Sequence, residues 1–354
     1  MTVTLADVAA RARVSAATVS RVLSGNYPVA ERTRGRVLRA VEELEYVVNG
    51  PASALAAASS DLVGILVNDL ADPFFGIIAG AVQGELSGAA GPGGEKLAVV
   101  CSTGGSPERE LRYLTLLQRQ RAAAVVLTGS ASEDPEHARA LAAKLARLSG
   151  AGTRVVLCGR PAQPASPAAE PPATLTTLAF DNRGGAQRLT AHLVALGHRR
   201  IGCAAGPAGR TTTGERVAGH RAALAAGGIA DAPHRTVHGA YDRASGYDAA
   251  VELLRRDAGL TAIVAANDAV ALGACAALRD RGLRVPEDLS VAGFDDLPFS
   301  ADAAPALTTV RLPLEEAGAR AGRLATGREE RPPGGLATLR AELLVRESTS
   351  VPYP

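Results

Sequence analysis

Residues 15–21 combine small, hydroxylated and cationic side chains on what can be one face of a short helix. Val19 and Val22 fall on the opposite face, as the buried positions of an amphipathic helix do. The exposed face is then slim enough to enter a DNA major groove, where Arg21 could donate two hydrogen bonds to one base edge. This spacing predicts direct contact with DNA bases.

Side chains suited to binding a small molecule follow several short apolar runs that have the composition of strands. Phe74 and Phe75 follow one such run, Asn267 follows another, and Asp295 follows a third. Ligands of open α/β sheets bind at the carboxyl ends of strands, so these side chains are expected to line one cleft. Aromatic rings stack on a sugar or a base, and carboxylates accept hydrogen bonds from hydroxyl groups.

Catalytic and metal-binding patterns are missing from the sequence. It contains no nucleophile elbow, zinc-protease motif or phosphate-binding lysine loop, so we expect no enzymatic activity, no cofactor and no metal. The four cysteines are far apart, which indicates free thiols in a reducing compartment. No signal-peptide pattern or membrane-spanning run is present, and a cytoplasmic, nucleoid-associated protein is expected.

The elements that must position the candidate DNA-contacting face are three short helices. Thr4 and Asp7 form a capping box at the start of the first helix, and Ser15 is suited to cap the second. A third helix is predicted over residues 30–45, with an apolar stripe made of Val37, Leu38, Val41 and Leu44. Seven arginines and one acid between residues 11 and 39 give this region a local charge of +6, which suits binding to phosphates.

Strand-like runs and amphipathic helices alternate after residue 61. This pattern predicts parallel sheets with helices on both faces. The composition fits such a chain, because 354 residues with 47% hydrophobic and 21% charged side chains indicate a globular protein of two or three domains. The predicted strands cover residues 62–67, 96–101, 123–128, 154–159, 199–205, 262–267 and 289–294.

The chain resembles the lac repressor family of bacterial transcription regulators from about Thr2 to Leu344. The resemblance rests on VSAATVSRVLSG at 14–25, DPFF at 72–75, DNRGGAQRLTAHLVALGHRRI at 181–201 and the segment 265–300. It implies an α plus α/β fold: a helix-turn-helix headpiece over 1–46, a hinge over 47–60, and a two-lobed sensor over 61–354 like periplasmic sugar-binding proteins. The first lobe would comprise 61–162 and 293–324, and the second 163–292 and 325–350.

The resemblance also assigns roles to residues. In the hinge, Leu55 matches a leucine that wedges into the DNA minor groove, although the basic residue often found beside it is missing here. The expected DNA contacts are Thr4, Ser15, Ala16, Ala17, Thr18, Ser20, Arg21, Thr33 and Leu55.

The same resemblance supplies a set of ligand-binding residues. Arg210 and Thr212 match contacts of purine-responsive members, Arg160 stands beside a position where several members have an acid, and Asp268 is expected to cap a helix. The expected ligand contacts are Phe74, Phe75, Arg160, Arg210, Thr212, Arg216, Tyr241, Asn267 and Asp295.

These observations together predict a homodimeric repressor that binds a near-palindromic operator and responds to a small molecule, most simply a sugar. A purine- or nucleoside-responsive repressor is one alternative. A transport-type sugar-binding protein is another, but the helical headpiece and the missing signal peptide argue against it.

Overall fold

The computed structural model describes residues 3–24, 28–46, 60–87, 96–161 and 173–353. The hinge predicted over 47–60 lies outside the described residues except for Ser60, and Leu55 with it. None of the described helices is long and apolar enough to cross a membrane.

Three helices form the headpiece around a small apolar core. Val8, Val19 and Val37 come from different helices and are fully buried against one another. Leu38 was expected in this core but is 46% exposed, because Val37 and Ala40 are the buried residues of the third helix. The helices are α1 Leu5–Ala12, α2 Ala16–Ser24 and α3 Glu31–Glu43.

The first lobe is a six-stranded parallel sheet in the order β11-β5-β4-β3-β1-β2, with helices on both faces. Its central strands are buried on both sides, as runs such as LVGILV require. Its strands are β1 Leu62–Val67, β2 Leu97–Ser102, β3 Ala124–Thr128, β4 Arg154–Cys158, β5 Leu175–Phe180 and β11 Leu336–Leu339, and its helices are α4 Pro73–Ser87, α5 Pro107–Arg119, α6 Pro135–Gly150 and α12 Leu314–Thr326.

The second lobe is a four-stranded parallel sheet in the order β7-β6-β8-β9. Two of its helices pack backbone to backbone, since a Cβ on Gly246 would lie 2.1 Å from the carbonyl oxygen of Val270. Its strands are β6 Ile201–Ala205, β7 Thr236–His238, β8 Ala262–Ala265 and β9 Ser290–Ala292, and its helices are α7 Asn182–Ala195, α8 Thr211–Ala226, α9 Arg243–Arg256 and α10 Asp268–Asp280.

The chain passes between the lobes three times. It crosses after β5, after β9 and after β11. The short helix α11 Pro298–Asp302 and strand β10 Thr309–Arg311 follow β9, and β12 Glu342–Leu344 follows β11 and pairs antiparallel with β10. The lobe boundaries expected at 163 and 325 are wrong, because β5 and β11 both pair within the first sheet. The first and third crossings therefore lie near residues 181 and 340.

Candidate functional site

The exposed face of α2 presents the side chains predicted to contact DNA. Ala16, Ala17, Ser20 and Arg21 are all exposed. Ser15 caps the helix, since its Oγ accepts a hydrogen bond from the backbone N–H of Thr18 at 3.2 Å. The face is therefore held in a regular helix and bears one long cationic side chain.

A groove on the headpiece brings residues of α2 together with the start of α3. Ser15, Thr18 and Arg21 line one side, and Thr33 and Arg36 line the other. Arg36 was not among the predicted DNA contacts, although its place in the arginine-rich run was a usable signal. The seven arginines between residues 11 and 39 are all exposed, so their charge faces solvent.

Thr4 lies at the start of α1, where its hydroxyl group serves the helix. Its Oγ1 donates to Asp7 Oδ2 at 2.7 Å and accepts from the backbone N–H of Asp7 at 3.4 Å. The Asp7 carboxylate accepts from the Thr4 hydroxyl and from the Thr4 backbone N–H, and these two hydrogen bonds lower the pKa of Asp7. Thr4 can offer DNA an acceptor and its backbone, but its hydroxyl proton is already donated.

A cleft of about 680 Å³ lies between the two lobes, at the carboxyl ends of strands from both sheets. Its position follows the rule for parallel α/β sheets, with each strand delivering its next residues to the same edge. Of the nine predicted ligand contacts, the cleft is lined by Phe74, Phe75, Arg210, Thr212, Arg216, Tyr241, Asn267 and Asp295.

Two adjacent aromatic rings begin α4 and form an apolar wall of the cleft. The rings of Phe74 and Phe75 lie 4.9 Å apart in an edge-to-face arrangement, and Phe180 lies 6.3 Å from Phe74. Both rings also belong to the core of the first lobe, with 9% and 7% of their surface exposed. Packing fixes their orientation, so their exposed edges can meet a ligand without further ordering.

A buried ion pair crosses the floor of the cleft. Arg216 on α8 donates from Nη2 to Asp295 Oδ1 at 2.8 Å, from Nε to Asn182 Oδ1 at 3.0 Å, and from Nη1 to the carbonyl of Ala266. Burial raises the pKa of Asp295 to about 6, although Arg216 acts to lower it. Asp295 also has φ +102°, a strained conformation of the kind found at binding sites.

Asn267 takes the capping role that was expected of Asp268. Asn267 caps α10, because its Oδ1 accepts from the backbone N–H of Val270 at 2.9 Å, and its Nδ2 donates to the carbonyl of Tyr241 at 3.2 Å. Asp268 is fully buried and accepts from the Leu297 backbone N–H and from Thr309 Oγ1. The prediction that Asp268 caps this helix is wrong, since only the side chain of Asn267 faces the free N–H groups.

Arg210, Thr212 and Tyr241 lie on the second-lobe side of the cleft. The Tyr241 hydroxyl hydrogen-bonds to Thr213 Oγ1 at 2.7 Å, and burial raises the pKa of this phenol. The Thr212 backbone N–H donates to Ser130 Oγ of the first lobe at 3.2 Å. These residues belong to the part of the cleft where the two lobes touch.

Arg160 does not line the cleft, contrary to expectation. It is 2% exposed and lies within the first lobe, where its Nη2 donates to Glu110 Oε2. Glu110, on α5, also lies 3.2 Å from His137 Nε2. An ionised arginine so close to the apolar core needs a carboxylate, and the position of Glu110 decides where Arg160 lies.

Several cleft residues were missed by sequence reasoning. Asn68 and Asp72 follow β1, and Asn182 begins α7, all at strand ends that the same argument could have included. Burial raises the pKa of Asp72. No cluster of three or more potential metal ligands occurs among the residues that the structure describes.

Comparisons with known proteins agree with both parts of the molecule. Residues 4–49 match the family model "Bacterial regulatory proteins, lacI family", and residues 190–349 match "Periplasmic binding protein-like domain". The HTH-type transcriptional regulator DegA of Bacillus subtilis is 31% identical over 353 residues, which cover 99% of each chain.

Solved structures give the same result. A complex of the transcriptional regulator CelR with cellobiose has a TM-score of 0.68 at 33% identity, covering 98% of this chain and 99% of that one. The lac repressor dimer bound to operator and the anti-inducer ONPF has a TM-score of 0.75 at 27% identity, covering 99% of this chain and 100% of that one. The chain therefore belongs to the lacI family of bacterial regulatory proteins and is a DNA-binding transcriptional regulator.

Proposed function

We propose that this protein is a carbohydrate-responsive repressor without enzymatic activity. The observation that supports this most is the presence, in one chain, of an exposed α2 face bearing Arg21 and an interlobe cleft with a buried Arg216–Asp295 pair. A ligand with different affinities for two arrangements of the lobes would change the affinity for DNA. Such a regulator acts on DNA in the cytoplasm, at the nucleoid.

The chemistry of the cleft suits a sugar. Phe74 offers an apolar edge for a ring face, and Asp72 and Asp295 offer acceptors for hydroxyl groups. Asn68 adds an amide with both a donor and an acceptor. The related CelR structure contains cellobiose, which supports a carbohydrate here.

A homodimer is part of the proposal, because one α2 helix covers only a half-site. The related lac repressor is a dimer on its operator. In this chain β2 is an edge strand of the first sheet, and its Leu97 and Val99 are 65% and 37% exposed. An apolar sheet edge of this kind is a surface that a second copy would cover.

A purine or nucleoside is the second candidate ligand. Tyr241 could stack on a base, and Arg210 and Thr212 could donate to its ring atoms and exocyclic groups. A transport-type sugar-binding protein is disfavoured, because transport requires no headpiece with an exposed cluster of arginines.

The test is a thermal-shift screen of the full chain with mono- and disaccharides, nucleosides and purine bases. Each compound that stabilises the protein is then added to an operator complex in a fluorescence anisotropy titration. A sugar that both stabilises the chain and changes operator affinity supports the proposal. A nucleoside or base that does so, with no effect of any sugar, replaces it with the second candidate.

A further inference from the structure

A short antiparallel contact, here called the latch, joins the lobes at one side of the cleft. It consists of residues 130–133 after β3 and residues 209–212 before α8. The Glu133 N–H donates to the carbonyl of Gly209 at 2.8 Å, and the Thr211 N–H donates to the carbonyl of Ala131 at 3.1 Å. Arg210 lies in the middle of the latch, so contacts from both lobes fix its backbone.

The Arg210 side chain extends from the second lobe to the first. A Cβ on Gly105, in the loop after β2, would lie 3.4 Å from Arg210 Nη2. The guanidinium lines the cleft, and the residues that the structure describes give it neither a hydrogen bond nor an ion pair. Burial, together with the charge of Arg160, lowers the pKa of Arg210. This cation is partly desolvated and lacks a counter-charge in contact with it.

The carboxylate available nearby is already bound to other groups. Glu110 binds Arg160 and His137. Burial acts to raise the pKa of Glu110, but the effects of Arg160 and His137 are larger together and lower it overall. Glu110 therefore remains ionised. The Nε and Nη1 atoms of Arg160 are buried and find no hydrogen-bond partner among the described residues. Glu133, the acid of the latch itself, has its carboxylate beside Gly214 of α8, and among the described residues it makes no ion pair with either guanidinium. Arg210 therefore has no carboxylate in contact with it.

The rest of the cleft has a different charge balance. Arg216 is neutralised by Asp295, and Asp72 lies close enough to raise the pKa of Asp295. The cleft therefore has acceptors for hydroxyl groups around Asp72 and Asp295, and at the latch it has a cation that no carboxylate contacts.

We propose that the effector carries an anionic group, a carboxylate or a phosphate, which binds Arg210 at the latch. The inference rests on the proposed carbohydrate function and narrows it to sugar acids and sugar phosphates. A guanidinium matches both anions through paired hydrogen bonds, and an anion here would give Arg210 the contacting counter-charge that it lacks. Because the latch requires both lobes, an anion held there also favours the arrangement in which the lobes touch.

The test compares matched ligands by calorimetric titration of the full chain. One set is glucose, glucuronate and glucose 6-phosphate, a second is galactose, galacturonate and galactose 6-phosphate, and inorganic phosphate is titrated alone. We expect a charged sugar to bind about ten-fold or more tightly than its neutral parent, since a charge-assisted contact contributes that much. Whether the acid or the phosphate ester binds identifies the anion.

Variants test whether Arg210 is responsible. Arg210→Gln is expected to remove the preference for the charged sugar, and Arg210→Lys to retain only part of it, because a lysine cannot form paired hydrogen bonds. Arg109→Gln is the matched control: Arg109 is exposed beside Gly104 at the same side of the molecule, and the preference should survive its loss.

Equal or tighter binding of the neutral parents would overturn the proposal, as would undiminished binding of the charged sugar by Arg210→Gln. A neutral sugar that binds at least as tightly as its charged derivatives and alters operator affinity would refute the anion and leave the carbohydrate function standing. If no sugar, neutral or charged, binds or alters operator affinity, both are wrong. Should Arg210→Gln fail to fold, equal binding of the charged sugar by Arg210→Lys and wild type would contradict the paired contact.

Discussion

Replacing Asp268 with asparagine should reduce the loss of folding stability that occurs as pH rises. Asp268 is fully buried, and burial together with Asp295 raises its pKa to about 8. An unfolded aspartate has a pKa of about 3.9. Between these values the folded protein holds a proton that the unfolded chain has released, so the free energy of unfolding falls as pH rises.

The size of this effect follows from one proton. The free energy of unfolding falls by at most about 1.4 kcal/mol per pH unit, which amounts to about 2.7 kcal/mol between pH 5 and pH 7. Asparagine does not titrate, and it can keep both contacts. Its Oδ1 can accept from the Leu297 N–H, and its Nδ2 can donate to Thr309 Oγ1, which accepts as readily as it donates.

The assay is urea unfolding of the full chain, followed by far-UV circular dichroism at pH 5, 6 and 7. Asp268→Asn should gain stability relative to wild type at each step upward in pH. The control is Asp288→Asn, a partly buried carboxyl whose pKa Arg284 lowers to about 2, so it stays ionised across this range and the variant should follow wild type. Parallel profiles for wild type and Asp268→Asn would refute the reasoning.

Four further predictions concern DNA, the ligand and assembly. Arg21→Ala should cost about 1–3 kcal/mol on operator with little change on random DNA in competition anisotropy, and equal losses on both would mean a phosphate contact only. Leu55→Ala should reduce operator bending in a gel-shift phasing assay, because an apolar wedge in the minor groove would offset the cost of unstacking; unchanged bending would disprove the hinge assignment. Asp295→Ala should abolish the effector response, since Arg216 is then left buried in the cleft without its carboxylate, while operator binding should be retained. If the variant still binds the effector in calorimetry, Asp295 is not part of the site. Leu97→Glu with Val99→Glu should convert a dimer into monomers in sedimentation at micromolar concentration, whereas Leu116→Glu, on an exposed position of α5, is the control; an unchanged dimer would place the interface elsewhere.

Local patterns in the sequence predicted much of the fold. The runs that became β1, β3, β4 and β8 are short, apolar and rich in β-branched residues, and flanking helices make such strands recognisable. The strand β5 was missed because its sequence LTTLAF buries two threonines and lacks a continuous apolar run. The lobe boundaries depended on that strand and on β11, whose pairing joins residues far apart in the sequence.

The candidate site shows the same division between local and distant determinants. Strand ends predicted that Phe74, Phe75, Asn267 and Asp295 meet in one cleft, because parallel strands deliver them to one edge. The family resemblance supplied the other cleft residues among the nine expected contacts, which are Arg210, Thr212, Arg216 and Tyr241. Arg160 could not be placed in this way, since its partner Glu110 lies 50 residues earlier. For Asn267 and Asp268 either side chain is a competent cap, and only the backbone geometry at the start of α10 decides between them.

Selection of genomic fragments by the purified full chain, followed by sequencing, tests the central claim most directly. Two α2 helices in one dimer should enrich a near-palindromic motif whose half-sites are spaced for successive major grooves, and Arg21→Ala should lose that enrichment. Fragments without a common motif, or the same enrichment with Arg21→Ala, would contradict the account of an operator-binding dimer that recognises its site through α2.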